Sequence, residues 1–266
     1  MDKDIISSRF KDLANRAYLK GIPLFTDFLD LQEQTKLIEF ISDKDMPPIN
    51  IMLNGGVFFL DNEDGLKHDK QPDFLERKMA CFYPKDLPYD IVFPISIIEI
   101  KPVNSKFADD LSHRDFLGSI MNLGIERYLL GDILVKDNRA YVFAEEKMSA
   151  FICENLIKIK HTSVTSKLCN EYDFDYTPSF KEEKGSVASE RIDAVIAFAY
   201  NMSRNDAALF ISSGKVFVNA KQIMSKSHVL RYGDIVSVRG KGRFIFDEIV
   251  ATTKKGRYFI RIRKYI

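Results

Sequence analysis

Six successive segments between Ile91 and Leu168 read as strand, helix, strand, strand, helix, strand, and this order constrains the chain more tightly than its composition does. Ile91 to Ile100 is an extended apolar run interrupted by Pro94, which removes a ladder donor and suits a strand at an edge or with a bulge. Arg114 to Glu126 carries apolar residues at helical spacing, and Asp132 to Lys136 returns to strand character. The turn Asp137-Asn138 leads into a further strand, Arg139 to Ala144. Glu145 to Ile157 reads as a second helix, and Thr162 to Leu168 as the last strand.

A β-α-β-β-α-β order is the split βαβ, or ferredoxin-like, arrangement, which RRM-type RNA-binding domains also use. Tyr141 and Phe143 lie two apart on the expected third strand and so share a face. Rings placed in this way stack on unpaired bases, or they pack a core. Arg139-Ala-Tyr-Val-Phe143 echoes the RNP1 signature only loosely.

Upstream, Phe10, Leu13, Ala14, Ala17 and Tyr18 recur at helical spacing and stop at Gly21 and Pro23. Asp30, with Glu33 three residues on, has the pattern of an N-cap with its capping-box partner ahead of Leu37, Ile38, Phe40 and Ile41. Apolar runs at Ile49 to Leu53 and Val57 to Leu60 flank Asn54-Gly55-Gly56, a hairpin pattern. Downstream, Asp173, Asp175, Glu182 and Glu183 accumulate between residues 171 and 188 with Pro178 and Gly185. This stretch reads as an extended, charged linker.

Charge divides near the end of that stretch. Residues 187–266 hold 15 Lys+Arg against 6 Asp+Glu, a net of +9, and the rest of the chain holds 24 against 32, a net of −8. A basic module is therefore attached to an acidic body, and Phe, Tyr, Val and Ile woven between its charges indicate that it folds. A concentrated positive field points to a polyanion, most often nucleic acid. Within it, residues 191–198 have helical spacing and Ser203 caps a second helix that stops at Gly214. Residues 215–219 and 235–239 then read as strands.

These residues resemble the S4 RNA-binding domain: Arg191-x-Asp193, Ser203-Arg204, Ala207, Ile211-x-x-Gly214, Val216-x-Val218-Asn219 and Gly233-Asp234 follow its pattern in order. His113-Arg-Asp-Phe-Leu-Gly118, Asn122-Leu-Gly-Ile-Glu-Arg127, Gly131-Asp-Ile133 and Arg239-Gly-Lys-Gly-Arg-Phe244 extend the resemblance to the YlmH-type S4-domain proteins of bacteria. Asn54-Gly55-Gly56 and Leu75-Glu-Arg-Lys78 are similar to that family too, while the acidic residues 61–73 between them look like an insertion. The resemblance implies RNA binding in the setting of the ribosome, with structured ribosomal or transfer RNA and the large subunit as partners, in the handling of subunits obstructed by peptidyl-tRNA.

The expected RNA contacts are Arg191, Ser203, Arg204, Asn205, Lys215, Asn219, Lys221, Lys226, Arg239, Lys241 and Arg243. Arg204 falls in the first helical turn, where the macrodipole disfavours a cation and a phosphate is welcome. Gly240 and Gly242 lie between cations and allow close approach of backbone to phosphate. Secondary RNA or interface candidates are Arg114, Arg139, Tyr141, Phe143, Arg257, Arg261 and Arg263.

His113-Arg114-Asp115 copies the letters of a kinase catalytic loop, but its metal-binding Asn falls at the wrong distance and no Gly-rich loop accompanies it. Asp115 reads instead as a residue near a helix N-terminus. Met224-Ser-Lys-Ser227 echoes a loop of class I tRNA synthetases without the partner nucleotide motif. Cys81, Cys153 and Cys169 are too dispersed for a disulfide framework or zinc site. No cofactor, metal or catalytic residue is expected. No run approaches the about 20 apolar residues of a membrane span, and the acidic start lacks a signal-like core, so a cytoplasmic protein is expected. A monomer is favoured, although the sequence leaves the oligomeric state open.

The expected fold is α+β and multidomain: a small N-terminal α/β unit at 1–72, a ferredoxin-like (RRM-like) domain at 73–170, a linker at 171–188 and an S4 domain of αL type at 189–266. The expected function is a non-enzymatic RNA-binding adaptor. The alternatives are an RNA-modifying enzyme with an S4 targeting domain, of pseudouridine synthase or methyltransferase type, and a protein-interaction scaffold.

Overall fold

A computed structural model describes residues 3–42, 46–56, 74–170, 174, 176–252 and 256–266, with side chains described from residue 5 onward. The chain forms two compact units, Met1–Tyr176 and Thr177–Ile266. The architecture is α+β in both. Residues 1–72 and 73–170, expected as separate units, belong to the first compact unit.

The first unit opens with α1 (Lys3–Lys20), β1 (Leu24–Leu29), α2 (Leu31–Ile41), β2 (Ile49–Asn54) and β3 (Lys78–Pro84). Ile6, Phe10, Ala14 and Ala17 of α1 are buried with Leu37, Ile49, Ala80 and Phe82. This is the apolar stripe that the helical spacing anticipates. The capping box of α2 is present: the Asp30 carboxylate accepts from the N–H groups of Gln32 and Glu33, and Glu33 accepts from the Asp30 N–H. The strands are ordered β1-β3-β2, all antiparallel. β2 therefore pairs with β3, a strand distant in sequence, and the second arm of the expected hairpin, residues 57–60, lies outside the described residues. So does the acidic segment 61–73.

The second sheet of this unit uses β4 (Ile95–Pro102), α3 (His113–Met121), β5 (Leu130–Lys136), β6 (Arg139–Glu145), α4 (Glu146–Asn155), the two-residue β7 (Lys158–Ile159) and β8 (Thr162–Cys169). The expected strand–helix order is present, and Pro94 falls just before its strand. The sheet order is β5-β6-β4-β8-β7, with every paired neighbour antiparallel. Asp137 and Asn138 both take positive φ, 52° and 59°, which gives the tight turn between β5 and β6. One face buries Ile98, Ile100, Ala140 and Val142 against Phe116, Ile120 and Ile152 of the helices.

Motifs far apart in sequence meet where the two sheets join. The Asp132 carboxylate accepts from the backbone N–H groups of Glu76 and Arg77 at 2.6 and 2.9 Å. The Arg77 guanidinium donates to the carbonyls of Leu130 and Phe28, and Arg127 donates to those of Leu130 and Gly131. Gly131 allows the closest approach, since an added Cβ would stand 2.7 Å from the Phe28 ring and 2.8 Å from Phe143. Leu75–Lys78, Arg127 and Gly131-Asp132 are thus structural couplings in this unit.

The second unit contains β9 (Phe180–Val187), α5 (Ile192–Ala199), α6 (Arg204–Ser212), β10 (Val216–Val218), β11 (Lys221–Gln222), β12 (Asp234–Val238), β13 (Gly242–Thr252) and β14 (Tyr258–Tyr265). They form one six-stranded sheet, ordered β11-β10-β12-β13-β14-β9. Its core joins Ile192, Val195, Ile196, Ala207 and Ile211 of the helices to Val216, Val236, Phe244 and Ile260 of the strands.

β9 corrects the expected linker. Residues 180–187 pair along their whole length with β14. Lys181, Glu182, Glu183 and Lys184 resembled a solvated tether because they belong to a charged edge strand, a device that discourages edge-to-edge pairing with other chains. The pairing is supported by Glu183 with Lys264 at 2.8 Å and by the Phe180 and Tyr265 rings at 4.8 Å. This strand adds two lysines and two glutamates, so the unit keeps its net charge of +9.

Candidate nucleic-acid interface

Asp193, the second residue of α5, organises the helical end of the basic unit. It is only 4 % exposed, and its carboxylate serves two arginines. Arg191 donates through Nε and Nη2 at 3.2 Å each, and Arg204 donates through Nη2 at 2.6 Å. A buried carboxylate needs a charge partner, and breaking such a pair is expensive. Here two guanidiniums share one carboxylate, so the trio keeps a net positive charge on preoriented planar donors. Both arginine side chains remain substantially exposed, at 36 % and 47 %.

Arg204 begins α6, and Ser203 caps that helix by accepting from the Asp206 N–H at 3.0 Å while donating to the Asp206 carboxylate at 2.8 Å. The helix dipole disfavours a cation at this end by about 0.3–1 kcal/mol. Asp193 supplies the compensating charge, so Arg204 is a positioned cation and not an unpartnered one. Asn205 beside it is exposed.

A second basic cluster forms around Phe210, near the other end of α6. The Lys215 and Lys241 ammonium groups stand 5.7 and 5.8 Å from the Phe210 ring centre. Arg239 joins them through its N–H, which donates to the Lys215 carbonyl at 2.9 Å, while its guanidinium lies 5.4 Å from the Phe217 ring. Gly240 takes φ of 80° and Gly242 of 109°, and the Lys241 N–H bonds to Val238, making a tight cationic turn between β12 and β13. Phe210 was not singled out from the sequence. Arg243 stacks over Tyr265 at 4.4 Å on β13. Lys221 and Lys226 are exposed on β11 and the loop after it.

Several expected contacts also hold the unit together. Asn219 turns β10 into β11 with φ of 48°, donates to Asp234 at 2.8 Å and accepts from the Ile235 N–H at 3.0 Å. Asn219→Ala is expected to lose about 2–3 kcal/mol of stability in urea unfolding while RNA affinity at constant folded fraction stays unchanged. On β14, Arg263 makes a bidentate pair with Asp247 and Arg261 pairs with Glu248 at 2.8 Å. Arg257, just before that strand, donates to the side chain and carbonyl of Ser186. These arginines tie strands together across the sheet.

In the first unit, Tyr141 and Phe143 are 1 % and 0 % exposed. Phe174 covers both, edge-on, with ring centres at 5.0 and 5.9 Å. The open stacking platform is therefore absent, and core packing is the role of these rings. Arg139 is one of three cations around the buried Glu99 carboxylate, at 3.0 Å, with Lys167 at 3.3 Å and Lys101 at 3.7 Å. The Glu99-x-Lys101 alternation on one strand face was the missed signal for this cluster. Arg114 is exposed in the first turn of α3.

The residues with catalytic echoes have other work. Asp115 completes a capping box with Ser112, and hydrogen bonds from Lys160 and then Ser112 hold its pKa down to about 2. Burial pushes the Cys81 thiol up to about 12. Among the described residues, no group of three or more His, Cys, Asp or Glu side chains is placed to hold a metal ion. Among them too, no helix is long and apolar enough to cross a membrane.

Among known proteins, residues 88–172 of the first unit match the family described as "Putative RNA-binding domain in YlmH". Over 243 residues the chain is 26 % identical to the Ribosome-associated protein quality control protein P2 of Bacillus subtilis (strain 168), spanning 90 % of this chain and 86 % of that protein. A solved structure, the Cell division protein ylmH from Streptococcus pneumoniae, aligns with a TM-score of 0.46 at 22 % identity, covering 64 % of this chain and 92 % of that one. The similarity to YlmH-type proteins carried by the sequence motifs is shown by the family match and the Bacillus relative.

Proposed function

We propose that this chain is a non-enzymatic RNA-binding adaptor whose second unit is an S4-type clamp for structured RNA on the large ribosomal subunit. The observation that carries the reading is the Arg191–Asp193–Arg204 fork at the start of α6, in a unit of net charge +9. Two guanidiniums held by one buried carboxylate form a rigid site for phosphate oxygens, and the Lys215–Arg239–Lys241 cluster adds cations near the other end of α6. Such contacts recognise RNA by shape and backbone rather than by a linear code. The strand order β5-β6-β4-β8 around two helices supports a ferredoxin-like, RRM-like reading of the first unit. With its aromatic face covered, that unit would orient the clamp more than it would stack bases.

The name of the Bacillus relative supports a ribosomal setting, and ribosomal or transfer RNA exposed by an obstructed peptidyl-tRNA complex is the RNA we assign to the clamp. Titration of the full chain against large ribosomal subunits at several salt concentrations tests this. Affinity is expected to fall steeply with salt, by about 0.7–0.9 in logarithmic slope per neutralised phosphate. A flat salt response, or unchanged affinity after joint Arg204→Ala and Lys215→Ala substitution, would overturn the clamp.

A further inference from the structure

We infer that the second unit captures one unpaired nucleobase of its RNA in an apolar slot beside the arginine fork. This deepens the clamp reading and rests on it. The slot has a volume of about 280 Å3 and is walled by Val187 at the end of β9, Ala194 and Ala197 on α5, and Met202 before α6. Pockets for drug-sized ligands start at about 300 Å3, so this one suits a single planar ring system.

Small residues keep the slot open. Ala194 and Ala197 are three apart on α5 and present their methyl groups on one face. A longer side chain at either position would occupy the space. Phe198 provides an aromatic wall, and Gly185 of β9 sets its position: an added Cβ there would stand 2.2 Å from the ring. The ring therefore lies directly against the strand backbone.

The rest of the lining is cationic. Arg204 borders the slot and reaches Asp193 from there, while Arg257 borders it and is braced by Ser186, through Nε to the hydroxyl at 3.0 Å and Nη2 to the carbonyl at 2.9 Å. An apolar wall with an aromatic ring and two guanidiniums matches a base joined to its phosphate. A free phosphate would leave the Phe198–Met202 wall unused, and an apolar peptide side chain would make no use of the positive charge that Arg204 and Arg257 bring to the slot. Ser186 is already engaged by Arg257, so the base is held by stacking and shape, with little discrimination of its edge.

The test uses the full chain labelled at its methionine and alanine methyl groups and titrated to millimolar adenosine 5′-monophosphate, with ribose 5-phosphate as the base-free comparison. Adenosine monophosphate is expected to shift the Met202, Ala194 and Ala197 resonances, and ribose 5-phosphate to leave them in place. Ala197→Leu fills the slot without changing charge. It is expected to abolish those shifts and to weaken binding to large ribosomal subunits by about tenfold, with the salt slope unchanged.

Slot resonances that ignore the nucleotide, or that move equally with ribose 5-phosphate, overturn the inference. Full subunit affinity in a folded Ala197→Leu chain also overturns it, and if Arg204→Ala still weakens binding, the clamp stands without the slot. Loss of neither on substitution removes both readings. Should Ala197→Leu fail to fold, the nucleotide titration of the unaltered chain decides alone. Shifts produced by an apolar peptide but by no nucleotide would assign the slot to a protein partner instead.

Discussion

Arg204→Ala is expected to weaken binding to structured ribosomal RNA by about 10- to 100-fold, the worth of one charge-assisted contact. The folded state should survive, because Arg191 continues to neutralise the buried Asp193 carboxylate. The logarithmic salt slope should drop by roughly 0.7–0.9, as one phosphate contact is removed. Arg204→Lys is expected to recover the slope but only part of the affinity, since an ammonium cannot reproduce the planar donor geometry at Asp193. Filter binding across a salt series separates these outcomes. Equal affinity of Arg204→Ala and the unaltered chain would remove the fork from the interface.

Phe143→Ala is expected to lower the stability of the first unit by about 3–5 kcal/mol, the usual cost of removing a fully buried aromatic side chain. Its ring is covered by Phe174 and lies against the backbone position of Gly56, so truncation opens a cavity beneath Phe174. Urea unfolding should show the midpoint falling at constant slope. The same substitution is expected to leave RNA affinity unchanged under conditions where the chain remains folded. A selective loss of RNA binding with full stability would instead restore this face as a stacking platform.

The sequence disclosed its local structure well where periodicity and capping agreed. The β-α-β-β-α-β order is present from Ile95 to Cys169 with the two-residue β7 added before the last strand, and the Asp30–Glu33 capping box and the Ser203 cap are present too. In these places neighbouring residues decide the conformation, so reading along the chain suffices. β1 and β3 were not anticipated, and β9 was read as linker. β2 and β3 are distant in sequence, as are β9 and β14, so local pattern had nothing to report about their partners.

The candidate site divided in the same way. Arg191, Asp193 and Arg204 were legible as residues of a motif, but their common carboxylate is a contact across two helices. Asn219 shared the motif and turned out to hold a turn through its positive φ and both ends of its side chain. The arginines at 261 and 263 were expected as secondary RNA or interface candidates, and strand alternation predicts that they share a side. It does not predict that Asp247 and Glu248 of the neighbouring strand occupy that side too.

By itself, the sequence determined that a basic, foldable module follows an acidic body and that cations stand at a helix start and a glycine turn. Those properties depend on residue type and on spacing within a few positions. Only the tertiary structure decided which carboxylate each arginine meets, and which aromatic rings are covered. Both outcomes depend on side chains brought together from distant strands and helices, where burial and a partner a few ångströms away outweigh local pattern.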